Sequence, residues 1–270
     1  MRPPASTAID LSRLPDGIHR PVLPDGRDVF AKVRRGVPAG FFAAEARGLR
    51  ALAQARALRV PGVIAVDAIG IALEDLGSGR AQTSDWERAG HDLATLHAHA
   101  AARFGFPSHG WCGNSAQDNT PDEDGARFFG LRRLRPQARR AFDVGLLDSG
   151  DLERIERLCL RLAELLPPCP PVLVHGDLWL GNLHACSDGR LALVDGGAVH
   201  HGRADADLAM LTLFGEPPRA FFAAYEAASG SGSQWRSHAP LLNLYHLLNH
   251  LNLFGGAYQQ RVRRVVAAFA

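Results

Sequence analysis

Residues 173–195 read LVHGDLWLGNLHACSDGRLALVD and hold three oxygen-bearing side chains in close succession: Asp177, Asn182 and, at the end, Asp195. An ionised carboxylate can take a proton from a substrate hydroxyl. An amide oxygen and a second carboxylate are hard donors suited to magnesium. One base and two metal ligands, with no covalent nucleophile, are the parts needed to move a phosphoryl group from ATP. The assignment is therefore Asp177 as base and Asn182 and Asp195 as ligands of Mg2+. His175 and Trp179 flank the base and are the candidate substrate contacts, Trp179 because an aromatic face suits a CH-rich ring or an ammonium group. A purely structural hairpin would seldom place three such groups at this spacing.

These side chains need strands to hold them. Residues 172–174 form a short apolar run, Ser187-Asp188-Gly189 signals a tight turn, and residues 191–194 form a second run; one hairpin is expected to present all three groups. Upstream, residues 16–23 and 27–33 read as two strands around Pro24-Asp25-Gly26. The second carries Lys32, the only lysine of the chain. It stands either on a solvated strand face or, among apolar neighbours, as a point charge for phosphate oxygens. Residues 38–57 have helical apolar spacing with Glu45 early in the run. Residues 60–66 and 69–73 read as strands, and residues 84–101, 124–145, 151–166, 203–211 and 241–258 as helical, with Ser84 or Asp85 as a cap and residues 104–119 as loop. The lead-in over residues 1–15 is expected to fray.

With 270 residues and 46% hydrophobic content the chain can bury a substantial core. Thirty basic side chains against 28 acidic ones give no argument for nucleic acid or an anionic membrane. No apolar run approaches a membrane span, and the first residues lack an apolar signal core. Four scattered cysteines without a CxxC favour neither disulfides nor zinc and point to a reducing cytoplasm. His91, His97 and His99, and likewise His246, Asn249 and His250, read as polar groups settled in or on helices.

HGDLWLGN followed by a strand and Asp, together with YHLLNHLNLFG near the end, resembles the fructosamine kinase (ketosamine 3-kinase) family within the protein-kinase-like small-molecule kinases. The resemblance implies an α+β, two-lobed kinase-like fold: a β-rich nucleotide-binding lobe over residues 1–75 and a helical lobe over residues 76–270 carrying the catalytic loop. It implies Glu45 pairing with Lys32 at the α- and β-phosphates, and backbone groups of Glu74, Asp75 and Leu76 reading an adenine edge. Asp207 would brace the catalytic loop. The implied reaction is ATP-dependent phosphorylation of a sugar hydroxyl of a ketosamine, on an amino acid or a glycated protein, by a cytoplasmic monomer or homodimer. The chain departs from the family in two places. Asp195 is followed by Gly196-Gly197 where Pro-Ala is usual, and only residues 16–20 stand where a fuller phosphate loop is expected. The alternatives are another small-molecule kinase, of aminoglycoside, choline or homoserine type, or a nucleotide-binding module without turnover.

Overall fold

The structure is a computed structural model and describes residues 9–269. Strands β1 (Gly17–His19), β2 (Val29–Val33), β3 (Val63–Val66) and β4 (Gly70–Glu74) make one antiparallel sheet in the order β1-β2-β4-β3. Alternation along β2 decides its faces. Val29, Ala31 and Val33 are buried with Leu11, Leu23 and Ala72. Phe30 and Lys32 look to the other side, where helix α1 (Phe41–Gln54) covers the sheet through Phe42, Ala46 and Leu49. The part of the lead-in from Ile9 onward is ordered rather than frayed. Leu11–Arg13 forms a 3-10 turn capped by Asp10, and Leu11 is buried beneath the sheet; residues 1–8 lie outside the described chain. The expected helix is shorter than 38–57 because its first turn starts after the left-handed Gly40.

The second lobe is mostly helical. Helix α2 (Thr83–His97) begins two or three residues earlier than a Ser84 or Asp85 cap would place it: Gln82 precedes it, and Gln82 N–H donates to Asp85 Oδ2 at 2.9 Å. Residues 104–119 contain a hairpin that the sequence reading missed, β5 (Gly110–Cys112) with β6 (Ser115–Gln117). The helical region 124–145 comprises α3 (Gly125–Phe129), a π-helical turn over Gly130–Leu134 and α4 (Arg135–Asp143). Helix α5 (Ser149–Leu165) lays Ile155, Leu158 and Leu162 into the core and is capped by Asp148. After α6 (Ala204–Met210) and α7 (Arg219–Ser229), the expected helix over 241–258 is broken. It resolves into α8 (Trp235–Leu242) and α9 (Leu244–Phe254), with Asn243 between them donating to the Ala209 carbonyl at 2.8 Å, and is followed by α10 (Gln259–Phe269).

The central hairpin differs from expectation. Residues Leu191–Leu193 (β9) pair with Leu183–Ala185 (β8), whereas Val172–Val174 (β7) pairs with a later strand, His200–Gly202 (β10). Two ribbons therefore carry the site. The single-ribbon reading failed because the short run 183–185 looked like loop and the partner of β7 lies beyond Asp195. No helix among the described residues is long and apolar enough to cross a membrane.

Candidate active site

Lys32 Nζ lies 2.7 Å from Glu45 Oε1, joining β2 to α1. Both side chains are largely buried. Burial alone would lower the lysine pKa, but the charges of Glu45 and then Asp195 outweigh it and hold the ammonium above its usual range. Helix α1 is itself pressed against the turn after Asp195. A Cβ on Gly48 would stand 1.9 Å from the Gly196 carbonyl oxygen, and one on Gly196 would stand 2.6 Å from Leu49 N. Glycine at both positions lets two backbones meet. Asp195 adopts φ 65 and ψ 67, one of two non-glycine residues in the left-handed region among those described.

The catalytic-loop candidate starts where β7 ends. Gly176 has φ +79, and a side chain there would strike the Ala198 carbonyl at 2.3 Å. The turn it permits throws Asp177 out of the strand. Asp207 fastens the turn: its carboxylate accepts His175 N–H at 2.7 Å and Gly176 N–H at 2.9 Å, with His97 Nε2 at 3.4 Å. Burial would raise the Asp207 pKa, but the His97 contact and the Gly176 bond hold it below the ordinary range. His97 is held in turn by the Tyr225 hydroxyl, 2.8 Å from its Nδ1. Asn182 donates from Nδ2 to the Asp177 carbonyl at 2.8 Å, and the Val194 N–H donates to the Asn182 carbonyl at 3.1 Å. The two ribbons are thus tied together at the residues that flank them.

Asn182 and Asp195 line one cavity of about 250 Å3 together with Lys32, Phe30, Leu73, Leu76 and Val194. Its walls combine Phe30, Pro61, Leu73, Leu76 and Val194 with the charged Lys32 and Asp195, which suits a planar base with a charged tail. Glu45 and Asp195 border an adjoining cavity of about 420 Å3 with Lys32 and the turn Asp16-Gly17-Ile18. A larger cavity of about 450 Å3, lined by Arg56, Arg59, Arg88 and Arg190, opens elsewhere and includes none of these groups; size does not mark the site. The donor set fits a divalent cation. Asp177 is pushed up to about 7 by burial and then by the charges of Asp195 and Asp207, an accumulation of negative charge that a bound cation would relieve. The Nδ2 of Asn182 is used inward, which leaves its Oδ1 as a hard donor.

Other expected residues fall differently. His175 is fully buried, with Nε2 at 2.8 Å from the Val194 carbonyl and Nδ1 accepting the Asp177 N–H at 3.3 Å. It cannot touch a substrate; the strand-end position that made it look available also packs it inward. Trp179 is 41% exposed, its ring lying over Gly181. Glu74 and Asp75 spend their N–H groups on Gly62 and Asp28. Their carboxylates go to Arg59 at 2.8 Å and Arg20 at 2.8 Å. Of the three connector residues, Glu74 and Leu76 line the cavity and Asp75 does not. Sequence reasoning missed His246, whose Nδ1 stands 3.6 Å from Asp177 Oδ1. Burial holds this imidazole neutral, its pKa lowered to about 3, so the contact is neither an ion pair nor a hydrogen bond. The available signal was weak: His246 is one of several polar residues, with Asn249, His250 and Asn252, on a mostly apolar helix.

The profile of the fructosamine kinase family matches residues 18–269. This chain belongs to the fructosamine kinase family. It is 36% identical to a probable ketoamine kinase of Synechocystis over 90% of this chain and 84% of that protein. It is 30% identical to the chloroplastic protein-ribulosamine 3-kinase of Arabidopsis thaliana over 90% and 76% of the two chains. A Thermobifida fusca protein assigned as a fructosamine-3-kinase superposes with a TM-score of 0.86 at 36% identity, covering 93% of this chain and 88% of that one. An aminoglycoside phosphotransferase bound to streptomycin and ATP superposes with a TM-score of 0.61 at 15% identity, covering 93% and 91%, which speaks for the fold alone. The architecture of this fructosamine kinase family member is accordingly α+β, two-lobed and protein-kinase-like.

Proposed function

We propose that this kinase transfers the γ-phosphoryl group of ATP to a sugar hydroxyl of a ketosamine, carried by an amino acid or a protein, and that residues 1–75 and 76–270 are its nucleotide-binding and acceptor-binding lobes. The observation that carries the reading is the convergence of Lys32, Asn182 and Asp195 on one cavity, with Asp177 tied to Asn182 by a 2.8 Å bond. Bound ATP and its divalent cation, which we take as Mg2+, supply the electrophilic phosphoryl group and compensate its charge. Lys32, fixed by Glu45, points one ammonium at the phosphates and leaves the nucleotide little freedom to turn. Asn182 and Asp195 are the side chains that would hold the cation. Phe30, Leu73, Leu76 and Val194 wall the base and exclude water from it. Asp177 accepts a hydrogen bond from the sugar hydroxyl, orients its oxygen toward the phosphorus and takes the proton as the new bond forms. Asp207 keeps the loop still by engaging two backbone N–H groups beside the base. The four free cysteines accord with a reducing, cytoplasmic setting.

The test is direct. Purified protein with Mg2+-ATP should release ADP with fructosamine- or ribulosamine-type amines, and should show a phosphorylated sugar by mass spectrometry. Release no faster than that of Asp177→Ala with every ketosamine tried would sink the proposal.

A further inference from the structure

We propose that Cys112, Asp177 and His246 form a second metal site, suited to a borderline-soft divalent ion of which zinc is the type, and that filling it silences the kinase by engaging the carboxylate of Asp177. One ligand atom of each residue lies within 4.8 Å of the other two. The His246 Nδ1 to Asp177 Oδ1 separation of 3.6 Å is near the ~3.4 Å that separates two nitrogen or oxygen ligands of a tetrahedral zinc with bonds of about 2.0–2.1 Å. The three residues are 65 and 69 positions apart, so nothing in the sequence spacing announces them.

An independent observation points to a missing partner. His246 is 5% exposed, and its Nδ1 has no hydrogen-bond partner although it faces the Asp177 carboxylate. A buried imidazole nitrogen left in this way is an anomaly to explain; a metal bond would use it. Cys112 is 2% exposed and held by the β5–β6 hairpin. Asn249, one turn beyond His246 on α9, donates from Nδ2 to Cys112 Sγ at 3.3 Å and to the Cys112 carbonyl at 3.2 Å. Such outer bonds orient a sulfur ligand and support its thiolate. The thiol proton leaves to solvent when the metal binds. Asp177 is the most open of the three, so the fourth position belongs to water or to an incoming hydroxyl. The ligand types separate this site from the oxygen donors Asn182 and Asp195: sulfur and imidazole select zinc-like ions, carboxylate and amide select magnesium.

Binding does not depend on the proposed kinase reaction, whereas inhibition rests on Asp177 being its base, and the two are read separately. Metal-stripped protein titrated with cobalt(II) should develop a thiolate-to-cobalt charge-transfer band saturating at one equivalent. Zinc should erase it, Cys112→Ser should abolish it, and Cys169→Ser should leave it. X-ray absorption of the zinc-loaded parent should show one sulfur at ~2.3 Å among nitrogen and oxygen at ~2.0–2.1 Å, a measurement that needs no variant to fold. In turnover with excess Mg2+-ATP, Cys112→Ser should keep the parent rate and need at least ~10-fold more zinc for half inhibition. Absence of the thiolate band and of sulfur scattering overturns the site. A parent rate indifferent to zinc while the band is present, or equal zinc sensitivity in Cys112→Ser, overturns the inhibition.

Discussion

Asp177 bears a cost that its neighbours impose. A carboxyl pushed up to about 7 is disfavoured as an anion in the folded chain, and the penalty grows as pH rises from the unfolded value to the folded one. It is absent near pH 4 and complete above pH 7. Asp177→Asn removes it. Without nucleotide and metal, this variant should melt several degrees above the parent at pH 8, an effect of about 2–4 kcal/mol, and should converge on the parent near pH 4. Its turnover should fall by at least ~10³-fold while ATP still binds. Calorimetry against pH with parallel ADP release checks both halves; a variant no more stable than the parent at pH 8 contradicts the charge argument. Lys32→Met should act at a different step and weaken ATP binding, which a nucleotide titration reads. The proposed base Asp177 and the proposed cation ligands Asn182 and Asp195 could be picked out from sequence because phosphoryl transfer would require such groups at short, fixed spacings. His246 and Cys112 were not, because only the packing of α9 and the β5–β6 hairpin brings them to the base.

At the scale of elements, the contact between α1 and the turn after Asp195 sets where Glu45 stands. Gly48 inside a helix costs about 1 kcal/mol relative to alanine in propensity alone, so the backbone contact must matter more. In Gly48→Ala the new Cβ would meet the Gly196 oxygen at 1.9 Å. Neither backbone can yield cheaply, so α1 must lift away. The expected net loss is about 2 kcal/mol or more, a melting decrease of about 4–8 °C. A fall in turnover should accompany it as the Lys32–Glu45 pair loosens. Thermal shift and kcat on one preparation test this; an Ala variant with parent stability and rate would show that the contact does not set α1. Two successive glycines such as Gly196-Gly197 would by themselves leave a backbone freer. The structure instead shows Gly196 confined, for a reason that lives in another element. Strand partners were hidden in the same way. Runs of three residues such as β8 and β10 have no periodicity to read, and β7 chose its partner by tertiary position.

For the whole molecule, the kinase-like architecture was legible because periodic helices and motifs fall in order along the chain. The balance of buried charge was not, since it depends on what the two lobes and the catalytic loop enclose. His200 and His246 are buried neutral, with pKa values held down by burial, to about 3 for His246. The unfolded chain takes up protons at these histidines below about pH 6.5 and the folded chain does not, so stability is lost as pH falls, about 1.4 kcal/mol at pH 5.5 for His246 and in the same direction for His200. Asp177 works in the opposite direction over the same interval, because its penalty shrinks as it becomes protonated. Asp207 takes no part above about pH 5, since its folded pKa lies below the ordinary carboxylate range and the unfolded carboxyl is ionised there. The two trends largely offset each other in the parent, whose melting temperature should change little between pH 7.5 and 5.5. In Asp177→Asn the offset from this carboxyl is lost, and the melting temperature should fall distinctly more over that interval. Parallel curves for the two proteins would mean that the histidines and the Asp177 carboxyl do not share one proton balance. Diverging curves would mean that the charge concentrated around Asp177, which we propose serves phosphoryl transfer, also keeps the fold level across mild acid.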